Sequence, residues 1–167
     1  MKKIVCDVET TTYNKGNPFD RRNCLVALGI RDIDEGRTYI WFYPNKNDIL
    51  EIQEKLDNCL FIAHNAKFDI HWCLNLGLNL DGCQIHCTQI AEFMLNSQNN
   101  PYPSLNEALE KYGLPLKLDV VKTEYWDKGV STEDIPHEVL TEYLEYDLTG
   151  TEEVFKRQYE QLTGKQV

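Results

Sequence analysis

The chain has 167 residues, of which 42% are hydrophobic and 26% charged, and a formal net charge of −10. This length fits one domain with a sizeable core, and this composition excludes a disordered chain. The acidic excess argues against a broad phosphate-binding face, but not against a nucleic-acid enzyme whose acids are neutralised locally by metal ions.

No run reaches the length of a membrane-spanning helix, and Asp7 and Glu9 interrupt any signal-peptide core after the two N-terminal lysines, so a cytosolic setting and no membrane partner are expected. Lys15, Arg21, Arg22, Lys67, Lys111, Lys117, Lys122 and Lys128 are scattered and form no basic block. Any nucleic-acid contact is therefore expected to be narrow, at one strand end.

"KKIVCDVETTTY", residues 2–13, reads as an opening strand. The polar "TTTYNKGNPFDRRN" is rich in turn-formers. "CLVALGIRDID" and "TYIWFYP" read as two further strands about a tight turn at "DEGR", giving a three-stranded antiparallel start. "NDILEIQEKLDN" predicts a short helix capped by Asn47 or Asp48. "CLFIAHN" is a buried strand, and "AKFDIHWCLNLGL" a helix capped by Asn65 with Gly77 near its end. "CQIHCTQIAEFMLNS" predicts a short strand passing into a helix, and "NNPYP" a loop. "SLNEALEKYGL" is a helix with Ser104 as cap, Glu107 three residues on and Gly113 at its end. Residues 115–135 are mixed and turn-rich. The last helix spans about Pro136 to Leu162, with a break or bend expected near Gly150. Three strands followed by alternating strands and helices define an α/β domain over residues 1–167, with a mixed sheet covered by helices.

Within the first strand, residues two apart share a face, so Asp7 and Glu9 point the same way as Val5, while Ile4, Cys6 and Val8 point the other way. A solvated strand end would also accept such a pair. Asp69 falls in the first turn of a helix after a buried strand, where a carboxylate is favourable in any case, but also where ligands of open α/β sheets gather. In the last helix the inward stripe runs through Leu140, Tyr143 or Leu144, position 147, Thr151, and Val154 or Phe155. Position 147 is Asp, and a buried acid must be paired or bound to metal. Glu138, Glu142 and Glu145 fall off the stripe. Tyr143, four residues before Asp147, lies on its face. Four carboxylates at apolar boundaries are not expected to converge without cations, and oxygen-only ligands favour magnesium or manganese over zinc. Two such ions roughly 3.5–4 Å apart are a common arrangement for displacement at a phosphodiester.

Six cysteines lie mostly in apolar runs and are expected to be buried and reduced. His71, Cys73, Cys83, His86 and Cys87 are ligand types close in sequence, but they lack the paired CxxC spacing of structural zinc sites.

"DVETT" with Asp7 and Glu9, "HNAKFD" with Asn65 and Asp69, and "YLEYD" with Tyr143 and Asp147 resemble the three exonuclease motifs of the DEDD, RNase H-fold superfamily. The tyrosine four before the last Asp resembles the DEDDy branch, since the histidine branch has its histidine at position 142, which is Glu here. "DVETT", "NAKFD" and "CTQIAEFMLNS" followed by "SLNEALEKYGL" are most similar to the proofreading domain of family A DNA polymerases, including phage ones. Two departures are Cys87, where that family commonly has Asp, and Tyr13, where it often has an aliphatic wedge against the terminal base.

The resemblance implies an RNase H-like fold and a 3′–5′ exonuclease on single-stranded DNA ends that yields nucleoside 5′-monophosphates. It implies two divalent cations, with Asp7, Glu9 and Asp147 holding one, and Asp7 bridging to a second that Asp69 reaches largely through water. Tyr143 would position the attacking water. Glu9 and the backbone near Thr10 would grip the terminal 3′-hydroxyl, Asn65 would orient the end nucleotide, and Tyr13 would stack on a base. Freestanding action, a place in a polymerase chain and partnership with a separate polymerase all fit the resemblance. A ribonuclease D-like enzyme on RNA and a non-catalytic docking domain are the alternatives.

Overall fold

The computed structural model describes residues 1–116 and 119–167, so Lys117, one of the scattered basic residues, lies outside the described residues. Five strands, β1 (Lys3–Thr10), β2 (Leu25–Asp32), β3 (Arg37–Phe42), β4 (Leu60–Ala63) and β5 (Gln84–Cys87), form one sheet in the order β3-β2-β1-β4-β5. The first three pair antiparallel, and β4 and β5 then add in parallel, each after a helical crossover. This is the expected mixed sheet.

Alternation along β1 decides which helices cover which face. Ile4, Cys6 and Val8 pack with Ile52 and Leu56 of α1 (Lys46–Leu56) and with Trp72 and Cys73 of α2 (Ala66–Asn75). Val5 faces the other side, against Leu148 and Phe155 of the 27-residue α6 (His137–Thr163). Leu140, Leu144, Leu148 and Phe155 are fully buried, and each contributes about 1.5–3 kcal/mol by leaving water. Glu138, Glu142 and Glu145 are exposed, as their place off the stripe predicts.

Three local expectations change. The cap of α1 is Asn45, whose side chain accepts from the N–H groups of Asn47 and Asp48, while Asp48 accepts in return from the N–H of Asn45. Asn65 occupies the first position before α2, but it is left-handed (φ 62°) and its side chain makes no capping bond. No break occurs at Gly150. The helix runs unbroken through it, and the glycine lies against Leu105 and Leu109 of α4 (Leu105–Lys111), where a Cβ would make only ordinary contact at 3.4–3.8 Å. The capping box of Ser104 and Glu107 at α4 forms as expected. In the turn-rich stretch, the described residues form α5 (Val120–Glu124) and two short 3-10 turns, Trp126–Lys128 and Thr132–Asp134.

Close approach of α6 to the sheet depends on Gly29, the β2 partner of Asp7. A Cβ on Gly29 would lie 2.8 Å from Leu148 Cδ1. Gly29→Ala is expected to cost about 1–3 kcal/mol by overpacking and to weaken activity by lifting the helix that carries Asp147. Chemical denaturation checks this, and an unchanged midpoint would reject the tight fit.

A buried polar network ties α3 (Thr88–Leu95), α4 and α6 together. Gln158 donates to Thr88 O (2.9 Å) and to Glu92 (3.0 Å), Tyr112 donates to Glu92 (2.8 Å), and Lys111 pairs with Glu92. His86 Nε2 meets Gln158 Oε1 at 3.1 Å, and His64 bridges Thr88 and the Pro103 carbonyl. Burial holds both imidazoles below the usual histidine range. The unfolded chain therefore binds more protons than the folded one below about pH 6.5, so this stability is complete above that pH and is lost as pH falls. The raised carboxyl of Asp69 acts in the opposite sense, so the test compares wild type with His86→Gln. The wild-type urea midpoint should fall more steeply from about pH 7.5 to 5, and parallel curves would refute the assignment.

Candidate functional site

β1 is paired along its length with β2, but on its other edge β4 pairs only through Val5–Ile62. Asp7 to Thr10 therefore run past β4 and leave an open strand edge. Register with β2 slips here: Glu9 faces Ala27 and Thr10 faces Leu25, so Val26 is bulged. Such bulges re-aim side chains at strand ends.

On the α6 face, Asp7, Glu9 and Asp147 each place a carboxylate oxygen so that all three lie within 4.8 Å of one another. Glu9 is 7% exposed, Asp147 8%, and Asp7 half-buried. Asp147 reaches this place because its neighbour Leu148 seats over Gly29, directly beside Asp7. Asp69 arrives differently. It belongs to α2 on the opposite face and approaches through the open edge of β1, where the Val8 N–H donates to its Oδ1 (3.2 Å). Its oxygens stand outside the converging three. At 2% exposure, burial holds its carboxyl well above the usual range, helped by the charge of Asp7 and by Cys73.

Tyr143, one turn before Asp147 on α6, is partly buried. Burial pushes its phenol far above the usual range, with Asp147, Glu9, Asp7 and Asp119 adding to the shift. It is thus a neutral hydrogen-bond donor. Trp126 packs edge-on against its ring (5.7 Å between centroids), and the Trp126 Nε1–H donates to Thr132 Oγ1 (3.1 Å). Sequence reasoning missed Trp126. Its only signal was a large aromatic in a polar, turn-rich stretch.

The remaining candidates are Thr10, Asn65 and Tyr13. Thr10 is buried and donates to the Thr11 carbonyl (2.9 Å). Asn65 is exposed, its backbone is left-handed, and its side chain makes no capping bond to the helix. Tyr13 is 47% exposed, with the Arg22 guanidinium 5.1 Å from its ring centre. The ligand-type residues between 71 and 87 go separate ways. His71 meets Phe19, Cys73 the Cys6 thiol, Cys83 the Cys59 thiol, and His86 Gln158, while Cys87 accepts from the Ala66 N–H. Among the described residues, the group of three or more ligand types that converges is Asp7, Glu9 and Asp147.

The donor set fits hard divalent cations, because it offers only carboxylate oxygens and crowds like charges that a cation would neutralise. A mixed RNase H-like sheet with acids gathered at the end of its central strand defines a nuclease hydrolase, with nucleic acid as substrate. The chain belongs to the 3′–5′ exonuclease family of the family A DNA polymerase type, whose family model matches residues 1–157. No curated protein sequence matches the chain. Among the described residues, no helix is long and apolar enough to cross a membrane.

Proposed function

We propose that residues 1–167 form one metal-dependent 3′–5′ exonuclease domain of the DEDDy type. It removes terminal nucleotides from single-stranded DNA as 5′-monophosphates, alongside a DNA polymerase domain or subunit. The observation that carries this reading is the convergence of Asp7, Glu9 and Asp147 within 4.8 Å, next to a tyrosine held neutral. Asp7, Glu9 and Asp147 would hold one divalent cation, magnesium or manganese, and Asp7 with Asp69 would hold a second. Such cations supply a water of lowered pKa and neutralise charge on the phosphate. Tyr143 donates a hydrogen bond that orients the attacking water. As the water loses a proton to solvent and its oxygen bonds to the terminal phosphorus, the bond to the 3′-oxygen breaks, and that oxygen takes up a proton from solvent. Thr10, Asn65 and Tyr13 line the approach and orient the end nucleotide.

Digestion of oligonucleotides labelled at either end, with magnesium, manganese or a chelator, tests this reading. Stepwise shortening from the 3′ end with metal only is expected. Faster loss of a matched RNA would replace the DNA preference with a ribonuclease D-like one, and loss from the 5′ end would reject the polarity.

A further inference from the structure

We propose that the cleft between the Asn14–Phe19 loop and the start of α2 is a second nucleotide subsite. In it, Lys15 and Lys67 hold a phosphate of the single strand and Phe19 stacks on a base. The inference rests on the nuclease reading above and extends it to residues outside the acidic site.

The cleft has a volume of about 350 Å³, and its lining includes Lys15, Phe19, Asn65, Lys67, Phe68 and His71. Two lysines and no acid line it, in a chain whose net charge is −10. A local cationic pocket in an acidic protein concentrates anions there and nowhere broader. It adjoins the acids, since a Cβ on Gly16 would lie only 2.7 Å from Thr10 Oγ1 and 3.1 Å from Phe68 Cζ, while Thr10 follows Glu9 and Phe68 precedes Asp69.

The loop is held in an unfavourable conformation. Asn14, Lys15 and Gly16 are left-handed in succession, with φ of 47°, 58° and 72°, and only the glycine tolerates this freely. Side chains pin it from three sides. Asn23 donates to the carbonyls of Tyr13 (2.7 Å) and Asn17 (2.9 Å). The buried Trp72 Nε1–H donates to the Gly16 carbonyl (3.2 Å), and Asn75 donates to that of Pro18 (2.9 Å). Backbone strain that is overdetermined in this way marks segments kept for function. What the loop presents is Phe19, 74% exposed, with its ring braced edge-on by His71 at 5.3 Å. An exposed, braced aromatic beside two ammonium groups matches a stacked base and its phosphate.

The test measures binding of labelled oligo(dT) without metal as a function of salt, together with KM for digestion with magnesium. Lys15→Ala with Lys67→Ala should weaken binding about 10-fold or more and flatten the slope of log K against log salt by roughly 0.7 for a lost single-strand phosphate contact. Phe19→Ala should weaken binding about 10-fold with the salt slope kept. A charge control, Lys2→Ala with Lys165→Ala, removes the same charge ahead of β1 and beyond α6, and should leave the slope at the wild-type value. Variants that match the control in KM and slope, while wild type digests DNA, would overturn the subsite alone. A wild type that neither binds nor digests single strands would overturn the nuclease reading with it. Melting curves confirm that each variant is folded.

Discussion

Asp7→Asn is expected to lower metal-dependent digestion about 1,000-fold or more, since the metals supply several kcal/mol of stabilisation to the reacting phosphate. The same change is expected to raise the melting temperature of the metal-free protein, by about 1 kcal/mol of stability. Both effects have one cause. Asp7 is one of three acids whose oxygens lie within 4.8 Å, and its charge also opposes ionisation of Asp69. A neutral amide of the same shape relieves that repulsion and removes a ligand at once. Magnesium or manganese should stabilise the wild type by binding only its folded form, and should lose most of this effect on the variant. Thermal melts with and without metal, beside digestion assays, check all three. Wild-type digestion by Asp7→Asn would place the reaction elsewhere, and a lower metal-free melting temperature would refute the repulsion.

Tyr143→Phe is expected to lower kcat about 100-fold, within the range for a positioned hydrogen-bonding group acting on a reacting water. The ring remains, and with it the edge-on contact to Trp126, so the fold and the metal-induced rise in melting temperature should persist. That combination separates Tyr143 from the acids: loss of turnover with metal binding kept, against loss of both. Full activity in Tyr143→Phe would remove the phenol from the mechanism. A lost metal response would instead make Tyr143 a support for the acidic group.

Alternation in β1 and the stripe of α6 were legible because each is a local period: two residues in a strand and nearly four in a helix. They predict that Asp7 and Glu9 share the face of Val5, and that Asp147 points inward among leucines, as found. Glu152 and Gln158 are also buried on α6, and no local rule showed it. Glu152 pairs with Arg31 of β2 and with Lys156, and Gln158 with Glu92 of α3. Partners as distant as 121 residues make such burial tolerable.

By itself, then, the sequence determined the order of the main strands and helices, the mixed sheet, and the shared inward faces of Asp7, Glu9 and Asp147, because those follow from patterns within each segment. Only the tertiary structure decided how the acids meet. Asp7, Glu9 and Asp147 converge because Gly29 lets α6 close on the sheet. Asp69 stays apart because it comes from the opposite face, through the edge that β4 leaves open when its pairing stops at Val5. Those distances are set by packing between segments far apart in the chain, which no local period encodes.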